Sequence, residues 1–205
     1  MLTALEEKRF KEFTIPLESV FRLAGWRARL GVLLPSVNKT MEPELYRMAP
    51  EGVSLHFSRI GQREDTVEEL RRMADDVPRA SAELADAEVD LIAFGCTSGS
   101  LIGGIGYDRE LVRKIEEATG IPAITTSTAV VSALNEVGIK NVCVATPYQE
   151  EIDRKLKDFL EAHRYNVMNI KGLSCRGPET ADVPIKSVYK LAKEVFMSGA
   201  DGLFI

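Results

Sequence analysis

From Arg29 onward, short apolar runs rich in β-branched residues alternate with charged segments whose apolar positions recur every three or four residues. This alternation is the pattern of a parallel sheet joined by crossover helices. The runs RLGVLLP, VSLHFSRI, VDLIAFG, IPAITT, NVCVAT, YNVMNIKGL and ADGLFI predict strands, and helices are predicted over 41–49, 66–87, 108–118, 129–137, 149–163 and 185–198. The 66–87 segment sets Leu70, Met73, Ala74 and Val77 on one face, and Gly120 and Gly138 close the helices that precede them. ADGLFI reads as a buried strand without the loop that should follow, so the chain is expected to continue past Ile205.

Ahead of the first strand, Phe10, Phe13, Val20, Phe21 and Trp26 are a large apolar load, broken by Glu6, Glu7, Lys8, Arg9, Lys11 and Glu12. The charges exclude a signal peptide or membrane span within these residues, and 3–12 reads as a short amphipathic helix. Residues 1–28 are therefore expected to form a helical arm, packed on a neighbouring subunit or on its own domain.

Composition narrows the function without deciding it. The 205 residues are 45% hydrophobic, enough for a packed core. The formal net charge is -5, with no basic stripe interleaved with aromatics, so neither nucleic acid nor a membrane is an expected partner. Cys96, Cys143 and Cys175 are far apart, which predicts a reducing, cytoplasmic setting and no disulfide framework. His56 and His163 fall on different predicted elements, so no metal is expected.

Chemistry-bearing residues gather just after predicted strands: Ser36 and Asn38 in PSVNKTME, Cys96, Thr97 and Ser98 in CTSGS, Thr126 and Ser127 in TTSTAV, and Tyr148 in ATPYQE. The carboxyl ends of parallel strands share one sheet edge, so such residues can meet around one ligand. The same residue types are also common helix N-caps. Among the thiols, Cys143 reads as a core residue between Val142 and Val144, and Cys175 as a loop residue. Cys96 is followed by hydroxyls and Gly99, which can supply donors to a thiolate. From its surroundings alone Cys96 is either a buried thiol or a nucleophile.

Four stretches carry a resemblance: RLGVLLPSVNKTMEPEL, ELADAEVDLIAFGCTSGSL, GIPAITTSTAVVSAL and VCVATPYQEEIDRKLKDFL. They resemble maleate cis-trans isomerases and arylmalonate decarboxylases of the aspartate/glutamate/hydantoin racemase superfamily, from about Arg29 to Ile205. The resemblance implies an α/β fold of two similar lobes, each with a four-stranded parallel sheet flanked by helices, divided here as 29–121 and 122–205. It implies a site in the cleft between the lobes, no cofactor and no metal, and a homo-oligomer acting on a small-molecule carboxylate. Cys96 matches the first of two catalytic cysteines, the second being expected beyond Ile205. Asn38 and Tyr148 match residues that bind substrate carboxylates, and Gly177 stands where the isomerases have a further asparagine. Decarboxylases carry glycine at the place of Cys96, which favours isomerisation of a maleate-type dicarboxylate through covalent addition of the thiolate. The alternatives are an amino-acid or hydantoin racemase and a carboxylate-binding protein without catalysis.

Overall fold

The computed structural model describes residues 24–64 and 66–205. The helix expected over 3–12, and most of the expected arm, lie outside them.

Two parallel sheets organise the chain. The first contains β1 (Ala28–Pro35), β2 (Val53–Ile60), β3 (Leu91–Phe94) and β4 (Ala123–Thr125) in the order β2-β1-β3-β4. The second contains β5 (Asn141–Thr146), β6 (Asn166–Gly172) and β7 (Gly202–Phe204) in the order β6-β5-β7. It therefore has three strands among the described residues rather than the expected four. The division expected at residue 121 also falls inside the first sheet, because β4 pairs with β3 through Ile92↔Ala123 and Phe94↔Thr125.

The helices are α1 (Met41–Met48), α2 (Val67–Ala85), α3 (Thr97–Leu101), α4 (Tyr107–Thr119), α5 (Thr126–Glu136), α6 (Glu150–Ala162) and α7 (Ile185–Val195), with a 3-10 turn at Gly177–Asp182. In β1 the last five residues are buried, as expected for a central parallel strand covered on both faces. Leu70, Met73, Ala74, Val77 and Leu84 of α2 bury themselves against Leu33, Ile92 and Phe94, and Leu111 and Ile115 of α4 join the same core. The start of α2 is set by Thr66, whose side chain accepts from the Glu69 N–H at 3.3 Å. Leu156, Phe159 and Leu160 of α6 form a second core with Val142 and Val144 of β5.

Strand order determines where a ligand can sit. From β1 the sheet grows to β2 on one side and β3 on the other, so the loops leaving β1 and β3 diverge and open a crevice. In the second sheet β5 stands in the same relation to β6 and β7. Among the described residues, no helix is long and apolar enough to cross a membrane.

Candidate active site

A cavity of about 230 Å³ occupies the crevice and draws on both sheets. The β1 loop supplies Val37, Asn38 and Thr40, and the β3 end supplies Gly95, Cys96, Thr97 and Ser98. Pro147 and Tyr148 follow β5, and Gly177, Thr180 and Ala181 come from the 3-10 turn.

Cys96 caps α3. Its Sγ accepts the Gly99 N–H at 3.3 Å and lies 3.6 Å from the Ser98 hydroxyl, with only 7% of the residue exposed. An N–H directed at sulfur stabilises thiolate over thiol. Gly99 makes the approach possible, because a Cβ there would stand 2.9 Å from Sγ. The α3 turn is short and poor in helix formers. It is held by the Ser100 hydroxyl, which donates to the Thr97 carbonyl at 2.8 Å and is hydrogen-bonded to Ser127.

Asn38 is aimed by its own backbone neighbourhood. Its Oδ1 accepts from the N–H groups of Thr40 and Met41 at 3.1 and 2.9 Å, at the start of α1. With the oxygen engaged, the Nδ2 amide is the group this side chain can offer a ligand. Tyr148 approaches from the second sheet, where its N–H donates to the Thr146 hydroxyl at 3.1 Å. That hydroxyl also donates to Asp153, a buried carboxyl that desolvation pushes above its ordinary range against the opposing effect of this bond. Beside the cavity, Lys39 pairs with Asp182 at 2.6 Å and so joins the β1 loop to the 3-10 turn. Both partners are exposed, and such a pair contributes about 0–1 kcal/mol.

Cys96, Asn38, Thr97, Ser98 and Tyr148 thus line one cavity. Ser36, Thr126 and Ser127, expected at the same site, are committed elsewhere. The Ser36 hydroxyl donates to the Gln62 carbonyl at 2.8 Å and accepts the Gln62 N–H at 3.0 Å, which ties the β1 and β2 loops together. Thr126 donates to the Phe94 carbonyl at 2.9 Å and lines a separate apolar groove with Leu45, Leu55 and Ile124. Ser127 is buried behind α3 against Ser100. Gln62 and Thr180 were not anticipated in the cavity wall. Gln62 follows β2 and obeys the same strand-end rule, whereas the turn holding Thr180 has no periodicity to reveal it.

Of the other thiols, Cys143 is fully buried in β5. Cys175 is half-buried, and desolvation, with the Glu179 charge, pushes its pKa up. Among the described residues, no three His, Cys, Asp or Glu side chains converge as metal ligands.

The Amdase family model, described as arylmalonate decarboxylase, matches residues 30–205. The chain belongs to the Amdase family. Its relatives include a maleate isomerase of Pseudomonas putida, 29% identical over 157 residues, an alignment that covers 71% of this chain and 63% of that protein. A maleate isomerase of Alcaligenes faecalis is 28% identical, with 85% of this chain and 74% of that protein covered. The solved structure of a Pseudomonas putida maleate isomerase with maleate superposes with a TM-score of 0.80 at 28% identity, covering 86% of this chain and 76% of that one. The Amdase fold is therefore shared well beyond the individual strands.

Proposed function

We propose that this protein is a cofactor-independent isomerase that converts a small cis-butenedioate of the maleate type into its trans isomer, with Cys96 as the nucleophile. One observation carries the reading. A cysteine whose sulfur accepts a backbone N–H lines a small cavity together with Asn38 from the first sheet and Tyr148 from the second. The relatives named maleate isomerase supply the substrate class.

The Cys96 thiolate adds to C2 of the substrate. A bond forms between sulfur and C2 while the π pair moves onto C3 and its carboxylate, giving an enediolate. The C2–C3 bond is now single and rotates. Return of the pair to C2–C3 expels the thiolate and leaves the trans acid. Charge builds on the carboxylate oxygens, where Asn38, Tyr148 and the hydroxyls of Thr97 and Ser98 are the available donors.

The test is alkylation. Iodoacetamide near neutral pH should modify Cys96 faster than Cys143 or the more accessible Cys175, and maleate should protect it. Exposure alone predicts the opposite order for Cys96 and Cys175, so equal or reversed labelling would remove the basis for an activated thiolate. Asn38→Ala and Tyr148→Phe should each weaken kcat/KM for maleate by an amount equivalent to about 1.5–3 kcal/mol, the worth of a hydrogen bond to a charged group. Unchanged kinetics in both would place the carboxylates elsewhere.

A further inference from the structure

The donor that Asn38 presents to the cavity is held from outside the cavity by Arg59 of β2. The guanidinium donates through Nη1 to the Asn38 carbonyl at 2.7 Å and to the Ser36 carbonyl at 3.4 Å. Through Nη2 it donates to the Glu42 carboxylate at 2.6 Å, in the first turn of α1. One planar fork therefore spans the whole loop, from the end of β1 to the start of the helix. The Asn38 N–H and Oδ1 are tied as well, the first to the Pro35 carbonyl at 2.9 Å and the second to the N–H groups of Thr40 and Met41.

Ser36 and Lys39 tie this loop to Gln62 and Asp182, but of its side-chain contacts only Arg59 grips the Asn38 backbone and α1 together. The loop is too short to bury an apolar cluster, and α1 has no buried residue and only eight residues. Arg59 is itself positioned by pairing with Leu34 in the β1–β2 register, and its carbonyl accepts from Arg79 of α2 at 3.5 Å.

We propose that Arg59 is a positioning residue, which sets the direction of the Asn38 amide by clamping the Ser36 and Asn38 carbonyls to the Glu42 carboxylate. Its effect on turnover rests on the isomerase reading, but its effect on the loop does not. Two measurements on the full chain separate these. Arg59→Met should speed hydrogen exchange at the Thr40 and Met41 amides, which Asn38 Oδ1 holds, while the Gly99 and Ser100 amides keep their protection. Glu42→Gln should move the same two amides in the same direction by a smaller factor. Unchanged exchange at Thr40 and Met41 in both variants would overturn the proposal whatever the protein binds.

With maleate as the probe, Arg59→Met should lower kcat/KM roughly tenfold, the size of one lost charge-assisted bond. In an Asn38→Ala background the same change should add less than about twofold, because the group it directs is gone. Fully additive effects would mean that Arg59 acts independently of Asn38 and would overturn it. Failure of the unaltered protein to bind maleate would count against the isomerase reading instead, with the exchange result still deciding the role of Arg59.

Discussion

Cys96→Ser is expected to abolish turnover, by on the order of 10⁴-fold or more, while leaving the fold intact. The two consequences come from different properties of one atom. Serine is a good N-cap and can accept the Gly99 N–H as the sulfur does, so α3 keeps its first turn. A neutral hydroxyl without an adjacent base adds poorly to an unsaturated acid, so the covalent step is lost. Alanine in place of Cys96 should cost activity equally and also remove the cap, at about 1 kcal/mol. Comparing melting temperatures of the two variants isolates that structural component. Appreciable conversion of maleate by either variant would end the covalent mechanism.

Gly99→Ala should be destabilising and should disturb the thiol, against the usual preference for alanine in helices. Propensity favours alanine by about 0.8–1 kcal/mol in a helix interior. The new methyl would stand 2.9 Å from Cys96 Sγ, 2.5 Å from Met73 Cε and 3.2 Å from the Phe94 ring. Met73 is flexible, but Phe94 is fully buried and the sulfur is tied to the same backbone N–H. Overpacking of this kind costs about 1–3 kcal/mol, which outweighs the gain in propensity. The expected outcome is a melting temperature lower by several degrees, with slower alkylation of Cys96 as its sulfur is pushed from the Gly99 N–H. A rise in melting temperature with unchanged alkylation would show that the turn has room that the packing denies.

The strands and long helices were legible because their signal is local. The continuous apolar run of β1 and the amphipathic face of α2 each follow from backbone periodicity, and the observed elements fall within a few residues of the expected ones. Asn38, Cys96 and Tyr148 line one cavity as residues that follow strands, Asn38 and Cys96 at the carboxyl edge of the first sheet and Tyr148 at that of the second. The short helix after Cys96 was not legible. Thr97, Ser98, Gly99 and Ser100 are poor helix formers, and the turn is secured by a contact with Ser127 from a distant part of the chain. The sheet to which β4 belongs is not legible in the sequence for a related reason. Three residues carry no information about which neighbour they pair with, and the choice of β3 lies in long-range hydrogen bonds. Hydroxyl roles were the least readable. Ser36, Thr126 and Ser127 satisfy the same local rule as Thr97 and Ser98, yet each spends its oxygen on a group from another loop, strand or helix. A residue's position along a strand is set by its neighbours in sequence, whereas its hydrogen-bond partner is set by register and packing, which exist only once the sheets have formed.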